Sequence, residues 1–257
     1  METPNRPPIP TRLKAPQRIN KVLSLAGAAS RRKADELILA GRVQVNGGVL
    51  KRPGALVEWG TDRILVDGRE IPGPAGRLYI MLNKPFGYIS ALNDPQGRPV
   101  VTELLNDVSE RVYPVGRLDF DTLGLLLLTN DGEWAHRMMH PRYGVPRTYK
   151  VTLAGRIQDA DLESLQNGVE LDDGFSGPAR VTLLKRSADR SFLRVTIHMG
   201  RSRIVRRMAA AVGYDVLQLM RIGFGPLTLG DLKVGGHRHL TPEELAATRK
   251  MTRTQKK

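Results

Sequence analysis

Four consecutive leucines at residues 125–128 constrain the fold more than any other stretch of the sequence. A short apolar run bounded by turn residues predicts a strand that is buried on both faces. Arg117, Asp119 and Asp121 come just before this run, and a turn signal at residues 130–132 follows it. The chain therefore carries charge to the end of a buried strand. Either this is an ordinary charged turn, or the strand holds one carboxylate in a fixed position for chemistry.

The composition describes a folded, strongly basic protein. The 257 residues are enough for one large or two modest domains, and 40 Lys and Arg against 26 Asp and Glu give a formal charge of +14. Such a charge favours a polyanionic partner, which leaves RNA, DNA and anionic membrane open. The absence of cysteine excludes disulfides and thiolate metal sites, so we expect no structural metal. No apolar stretch is long enough to span a bilayer or to act as a signal peptide, so we expect a cytoplasmic protein.

The pattern of prolines, glycines and charges divides the chain into segments. Residues 1–17 hold five prolines and little apolar content, which predicts a disordered basic arm, and residues 249–257 predict a basic tail. Residues 18–71 predict a small helix-helix-strand domain, with helices at about 18–28 and 30–40. Residues 72–76, rich in proline and glycine, predict a linker to a larger domain at 77–248.

The second helix of the small domain begins with an unusual cluster of cations. Ser30 is a plausible N-cap, and Arg31, Arg32 and Lys33 follow it where the helix dipole disfavours positive charge. A solvated charged turn is one interpretation; with Arg42 on the next strand, we favour a phosphate-binding face. Together with the segments at 26–27, 41–47 and 67–68, these residues resemble the alpha-L RNA-binding motif, which implies RNA contact by the helix start.

The larger domain mixes strands and helices without regular alternation. This arrangement predicts an α+β fold, with a mainly antiparallel mixed sheet flanked by helices, and not a doubly wound one. The predicted strands lie at residues 78–82, 125–128, 149–153, 179–185, 192–198 and 216–221. The predicted helices lie at residues 133–139, 159–166, 202–212 and 242–248.

Four arginines surround the start of the helix predicted at 202–212. These are Arg201, Arg203, Arg206 and Arg207. They also oppose the helix dipole, which implies either an anionic partner or an internal carboxylate such as Asp119. Asp119 and Asp121 are spaced like the acid and base of a glycoside hydrolase, but such local pairs are more often turn caps or salt-bridge partners.

Ordered motifs through most of the larger domain resemble the bacterial ribosomal RNA pseudouridine synthases, which often carry an N-terminal alpha-L motif. The segments that carry the resemblance are Leu82-Asn83-Lys84-Pro85-Phe86-Gly87-Tyr88, Gly97-Arg98-Pro99, Gly116-Arg117-Leu118-Asp119, 121–122, 124–132, His140-Pro141, Thr148-Tyr149-Lys150-Val151, Gly200-Arg201 and Val205-Arg206-Arg207-Met208. The resemblance implies an isomerase that detaches uracil from its ribose and rejoins it through carbon 5. It also implies that neither cofactor nor metal is needed.

The resemblance further implies a role for each site residue. Asp119 would be the catalytic residue, as nucleophile or base, and Tyr149 would stack on the target uracil. Arg206 would pair with Asp119 and keep it ionised, and Leu219 would close the pocket. Arg117 would meet RNA or the flipped nucleotide. Arg201, Arg203 and Arg207 are predicted to bind RNA, and Asp121 is expected to be a structural partner of the turn.

Two positions depart from the family pattern. Met199 and Ile204 stand where relatives usually have Glu and Gln. We expect activity to persist because Asp119, Tyr149 and Arg206 remain, and the alternative is an altered substrate choice or a weaker enzyme. Residues 93–99 look more like the large-subunit-specific branch of the family. We expect a monomer whose partner is ribosomal RNA or a ribosomal subunit precursor, with no membrane.

Two other functions are kept as alternatives: a non-catalytic RNA-binding or ribosome-assembly protein, and a glycoside hydrolase, which would not need the basic charge. His237, Arg238 and His239 are expected to form a basic surface turn, not a metal site.

Overall fold

The structure, a computed structural model, describes residues 15–73 and 76–253. The predicted disordered arm lies outside the described residues as far as residue 14, and the last four residues of the predicted tail lie outside them too. Where the arm was expected to end, Gln17–Arg18 instead form a short strand. The described chain divides into two compact units between Leu78 and Tyr79, and the second comprises Tyr79–Asp107 and the chain from Val112 onward.

The N-terminal unit packs two helices beside small antiparallel sheets. The helices are α1 (Ile19–Leu25) and α2 (Arg31–Leu39), and the strands are β1 (Gln17–Arg18), β2 (Val43–Val45), β3 (Gly48–Leu50), β4 (Leu56–Val57), β5 (Ile64–Val66) and β6 (Arg69–Glu70). The strand order is β3-β2-β5-β6, and β1 pairs with β4. The hairpin between β2 and β3 turns at Asn46 and Gly47, both with positive φ, as such a two-residue turn requires. Ile19, Leu23 and Ile38 lie at the centre of its core.

The C-terminal unit contains nine strands and four helices among the described residues. The strands are β7 (Tyr79–Lys84), β8 (Tyr113–Val115), β9 (Thr122–Thr129), β10 (Arg147–Ala154), β11 (Arg180–Arg186), β12 (Arg190–Ile197), β13 (Val216–Phe224), β14 (Leu227–Thr228) and β15 (His237–His239). The helices are α3 (Gly132–Met139), α4 (Asp159–Asn167), α5 (Ile204–Ala211) and α6 (Pro242–Met251).

All nine strands join one sheet, in the order β11-β12-β10-β13-β9-β7-β15, with β8 on β9 and β14 on β13. Every pairing between the described strands of this sheet is antiparallel except that of β9 with β13, which is parallel. The prediction of an α+β fold with a mainly antiparallel mixed sheet is therefore confirmed.

The leucine run lies at the centre of this sheet. Leu125–Leu128 are completely buried within β9, as the uninterrupted apolar pattern predicted. Trp134 and Met138 of α3 belong to the same core cluster as two of these leucines. Asp131 caps α3 by accepting from the backbone N–H groups of Glu133 and Trp134, so the turn after β9 is fixed as well.

The short strands were not predicted from the sequence, and some predicted boundaries were wrong. His237 and Arg238 were expected in a surface turn, but they form the edge strand β15 against β7. Tertiary ion pairs support this strand, from His237 to Asp107 at 2.7 Å and from Arg238 to Glu244 at 2.7 Å. The last helix was expected to end at residue 248 and continues to Met251, so the predicted tail begins inside α6.

Candidate active site

The parallel pair of strands brings distant parts of the sequence together. Leu219 and Arg221 of β13 lie opposite Thr122 and Gly124 of β9. Gly124 has a φ of +101°, and a Cβ at this position would lie 2.2 Å from the backbone carbonyl oxygen of Arg221. Only glycine permits so close an approach of the two backbones. The loop before β9, with its two carboxylates, is thereby fixed beside the middle of β13.

A cavity of about 470 Å³ opens beside this junction. Six residues predicted for the site line it, and they are Arg117, Asp119, Tyr149, Arg201, Arg203 and Leu219. Arg206 and Arg207 are not among its lining residues. Asp119 is accompanied there by five arginines, because Arg147 and Arg221 also line the cavity. The cavity can therefore hold an anionic ligand of nucleotide size with a carboxylate facing it.

The two carboxylates of the loop have different partners. Nη2 of Arg206 lies 3.0 Å from Oδ2 of Asp121, and Arg206 also donates to the carbonyl oxygens of Val216 and Asp121. Nη1 of Arg203 lies 3.8 Å from Oδ2 of Asp119. The expected pairing of Arg206 with Asp119 is therefore wrong in this structure, since Arg206 approaches the loop from the side of Asp121. The interpretation of Asp121 as a structural partner of the turn agrees with this geometry.

Arg203 takes a strained backbone conformation at the start of α5. Its φ and ψ of 48° and 26° lie in the left-handed region, which costs a residue with a side chain about 1 kcal/mol. Its guanidinium is half exposed and reaches both Asp119 and Asp121, at 3.8 and 3.6 Å. Arg203 therefore combines a strained backbone with a guanidinium that lies beside the cavity.

Lys84, to which the sequence analysis gave no role, is buried under the carboxylate loop. Its Nζ donates to the carbonyl oxygens of Thr122 at 2.9 Å and Pro85 at 3.0 Å. Burial lowers the pKa of Lys84 to about 8, while the nearby charges of Asp121 and Asp119 act in the opposite direction. A lysine that ends an otherwise apolar strand was the signal available in the sequence. Lys84 fixes the backbone of the loop from below.

Tyr149 and Arg221 lie directly opposite each other on β10 and β13. Both are buried, and Nε of Arg221 donates to the carbonyl oxygen of Leu125 at 2.7 Å. Burial lowers the pKa of Arg221, partly offset by Tyr149. Sequence reasoning missed Arg221, although an arginine in the middle of an apolar strand was a visible signal. Tyr149 and Arg221 therefore line the cavity side by side.

Arg147 was also missed, and it packs below the loop that precedes α5. Its guanidinium donates to the carbonyl oxygen of His198 at 3.3 Å, and a Cβ on Gly200 would come within 3.2 Å of its Cζ. Burial lowers the pKa of Arg147, with a smaller effect of the like charge of Arg221. The glycine of the Gly200-Arg201 motif therefore makes room for this half-buried arginine.

Two arginines of the α5 cluster are engaged inside the chain. Arg207 pairs with Asp172 at 2.8 Å and with Asp173 at 2.9 Å, and Nη1 of Arg201 lies 2.8 Å from Asp173. Arg207 also holds the pKa of the Asp173 carboxyl below its usual range. Both arginines thus have internal carboxylate partners, and RNA binding by Arg201 and Arg207 stays a prediction.

The cations at the start of α2 differ in how free they are. The hydroxyl of Ser30 accepts from the backbone N–H of Lys33, so Ser30 is the N-cap, as predicted. Lys33 pairs with Glu36 at 2.8 Å, and Arg42 forks onto both carboxylate oxygens of Asp67 at 2.6 Å. Arg31 is exposed and reaches only the side-chain oxygen of Asn20, at 3.5 Å.

Arg32 completes this set, and it is the least engaged of the four basic residues. It is exposed, and no side-chain hydrogen bond or ion pair is recorded for it within the described ranges. Of these four residues, Arg32 is therefore the most available to bind an external phosphate.

The two departures from the family pattern occupy different environments. Ile204 is buried and lines the cavity, so it adds an apolar wall where a polar side chain is usual in the family. Met199 is 37% exposed, and its methyl group would lie 3.2 Å from a Cβ on Gly177. Within residues 15–73 and 76–253, no cluster of three or more histidine or acidic side chains is placed to hold a metal ion. None of the helices described is both long and apolar enough to cross a membrane.

Comparison with known proteins assigns the chain to one family. A family model described as RNA pseudouridylate synthase matches residues 78–211, and a model described as S4 domain matches residues 17–64. The chain therefore belongs to the RNA pseudouridine synthase family and is an isomerase that carries an S4 domain.

Individual relatives agree over nearly the whole chain. An uncharacterised RNA pseudouridine synthase of Aquifex aeolicus is 46% identical over 89% of this chain and 92% of its own length. The ribosomal large subunit pseudouridine synthase B of Bacillus subtilis is 44% identical over 91% of this chain and 96% of its own. A crystal structure of a pseudouridylate synthase is 29% identical, with a TM-score of 0.66, and covers 90% of this chain and 99% of that one. The resemblance found in the sequence is confirmed.

Proposed function

We propose that the protein converts a uridine of large-subunit ribosomal RNA into pseudouridine in the cavity beside β9 and β13. The uridine enters flipped out of the RNA, its uracil lies against Tyr149 and Leu219, and its ribose faces Asp119. The bond between N1 and C1′ breaks, the ring turns, and a bond forms between C5 and C1′. The C5 proton is released to solvent, and N1 takes up a proton.

The observation that carries this proposal is the position of Asp119. It is the one carboxylate among the lining residues of a cavity that also has five arginines, two aromatic rings and apolar side chains in its lining. Nη1 of Arg203 lies 3.8 Å from Oδ2 of Asp119, so a cation accompanies this carboxylate. These observations support a role for Asp119 on the ribose, as nucleophile or as base.

The floor of the cavity suits a flipped base. Extruding a uridine from structured RNA costs a few kcal/mol, and an aromatic face with an apolar wall recovers part of that cost. Tyr149 supplies the aromatic face, and Arg221 lies directly opposite it on β13. Leu219, 4% exposed, supplies the apolar wall.

Two observations support the large ribosomal subunit as the source of the RNA. The Bacillus subtilis relative carries that subunit in its name, and the segment at residues 93–99 fits the same branch. The S4 domain would hold the RNA through the α2 cations, with Arg32 free to meet a phosphate. A cytoplasmic location and action as a monomer go with this proposal.

The experiment is tritium release from ribosomal RNA labelled at carbon 5 of uridine. The unmodified protein should release tritium, and Asp119→Asn should release none, because the amide can neither attack the ribose nor accept its proton. Asp172→Asn is the matched control, since Asp172 is exposed on another loop. Release by Asp119→Asn at the normal rate would disprove the role of Asp119. Comparing pseudouridine maps of large- and small-subunit RNA from cells with and without the protein tests the subunit.

Family membership weighs against both alternatives drawn from the sequence. A non-catalytic binding protein would release no tritium from any ribosomal RNA. A glycoside hydrolase would use Asp119 with Asp121, yet Asp121 is held by Arg206 at 3.0 Å and does not line the cavity.

A further inference from the structure

Two phenylalanine rings stand exposed beside the carboxylate loop, and nothing in the proposed reaction uses them. Phe86 is 61% exposed and Phe120 is 44% exposed. Their ring centroids are 5.7 Å apart, with the ring planes at 62°. Phe120 directly follows Asp119 in the chain, but it is absent from the residues that line the cavity. The pair, named here the rim aromatics, therefore lies just outside the cavity.

The rim aromatics are held by the backbone beneath them. The N–H of Gly87 donates to the carbonyl oxygen of Phe120 at 3.0 Å, and Nζ of Lys84 lies 3.4 Å from the same oxygen. Gly87 has a φ of +83°, and a Cβ there would lie 3.9 Å from Cζ of Phe120. The turn that carries Phe86 is thus fastened to the loop that carries Asp119 and Phe120.

Burial of a phenylalanine side chain normally stabilises a protein, so two fixed and exposed rings forgo that gain. The chain has only five phenylalanines, and two of them occupy this rim. Aromatic rings held outward beside a basic cavity are the arrangement with which proteins stack unpaired nucleobases. Two side chains are also far too small an area for a stable protein interface.

We propose that the rim aromatics form a stacking platform for an unpaired nucleobase next to the uridine that enters the cavity. The inference rests on the proposed function and assigns a second nucleotide subsite to it. When a uridine leaves its helix, the base beside it loses a stacking partner, and an aromatic face outside the cavity replaces that partner. Stacking uses the π-face that every base has, so the subsite takes any base.

The charges around the platform are compatible with RNA. Asp119 and Asp121 lie close to it, but Arg203 and Arg206 approach these carboxylates at 3.8 and 3.0 Å. The phosphates on either side of a stacked base therefore meet a surface in which the acidic charge is already paired.

The test uses variants that separate a π-face from mere apolar bulk. Phe86→Leu and Phe120→Leu keep an apolar side chain and remove the ring, whereas Phe86→Tyr and Phe120→Tyr keep the ring. The probe is an oligouridylate of about ten nucleotides that carries one 2-aminopurine, whose fluorescence is quenched by stacking. Leu184→Ala is the control, because Leu184 is an exposed apolar side chain on β11 at the other edge of the sheet.

The expected result is quenching by the unmodified protein, by the tyrosine variants and by Leu184→Ala. The leucine variants should lose the quenching and bind the probe about tenfold more weakly. Quenching and affinity unchanged in both leucine variants would overturn the proposal, as would an equal loss in the tyrosine variants. Should Phe120→Leu fail to fold by circular dichroism, Phe86→Leu decides, because its ring is the more exposed.

The binding assay needs no turnover, so a negative result for the stacking platform can be distinguished from a negative result for the proposed reaction. Loss of quenching in the leucine variants of a protein that releases no tritium would support the platform and refute the isomerase reaction. Tritium release with unaltered quenching in those variants would support the reaction and refute the platform.

Discussion

Arg206 lies 3.0 Å from Asp121 and only 12% of its side chain is exposed, so the basic residue expected beside Asp119 fastens the neighbouring carboxylate instead. The same guanidinium donates to the carbonyl oxygen of Val216, at the start of β13. Arg206 therefore joins α5, β13 and the carboxylate loop. Its effect on Asp119 is exerted through the backbone of the loop, not through a direct ion pair.

Arg206→Ala should lower kcat about a hundredfold while KM stays within about twofold, because the carboxylate loop loses its anchor and Asp119 shifts relative to the ribose. The kcat of Arg206→Lys should lie between those of the unmodified protein and Arg206→Ala, since an ammonium cannot bridge the same partners as a guanidinium. Steady-state tritium release measures both constants. Arg194→Ala, at an exposed arginine of β12, is the control. A normal kcat in Arg206→Ala would contradict this role.

Gly124→Ala should destabilise the protein by about 4 kcal/mol or more, because the new methyl group overlaps the carbonyl of Arg221 and forces β9 from β13. Gly213→Ala is a matched control, since Gly213 has a φ of +86° with no heavy atom within 4 Å of its Cβ position. It should cost only about 1–2 kcal/mol of backbone strain. Urea unfolding of both variants measures the difference. Equal losses would show that the close contact is unimportant.

Lys84 should make the unfolding free energy depend on alkaline pH. Its pKa is lowered to about 8 by burial, so between pH 8 and the ordinary value of 10.5 the unfolded chain binds a proton that the folded chain has lost. Stability therefore rises with pH across this window, and the penalty of burying the charge is fully present below it. Relative to Lys84→Met, the unmodified protein should gain about 1–3 kcal/mol across the window.

Urea unfolding of both proteins at several alkaline pH values checks this. The phenol of Tyr79, whose pKa burial raises to about 12, titrates in both proteins and cancels in the comparison. Parallel curves for the two proteins would show that Lys84 keeps an ordinary pKa.

Arg32 and Arg42 should contribute differently to RNA binding. Arg32→Ala should weaken binding and reduce the slope of log K against log salt by about 0.7–0.9, the value for one phosphate contact. Arg42→Ala should change the slope less, because Arg42 already forks onto Asp67. Filter binding to ribosomal RNA over a range of salt concentrations measures both slopes. An equal slope change in the two variants would mean that Asp67 releases Arg42 to the RNA.

The fold was largely predictable, because its main elements have strong local signals. The leucine run predicted a strand buried on both faces, and the last helix was predicted to start at residue 242, where Thr241 and Glu244 form a capping box. The edge strand β15 had no such signal, since its three residues are polar and its contacts with β7, Asp107 and Glu244 are all tertiary. Tertiary pairing of this kind is not encoded in local periodicity.

For the site, the sequence indicated which residues matter but not which of them touch. Asp119, Tyr149 and Leu219 were predicted, and all three line one cavity. Arg206 pairs with Asp121 and not with Asp119 because of the way α5 packs against the loop. That packing is tertiary and cannot be predicted from a local sequence pattern. The half-buried Arg147 and the buried Arg221 were missed because an arginine inside the fold is recognised only when its surroundings are known.

The parallel pairing of β9 with β13 also sets when the site can exist during folding. Thr122 and Leu219 are adjacent in space, yet most of the C-terminal unit is synthesised between them. Closing so long a loop is entropically costly, and such non-local contacts form late. A partly folded chain can hold the hairpins at either side of the sheet and still have no cavity. Turnover is therefore a property of the completed sheet alone, so a nascent or locally opened molecule cannot modify RNA.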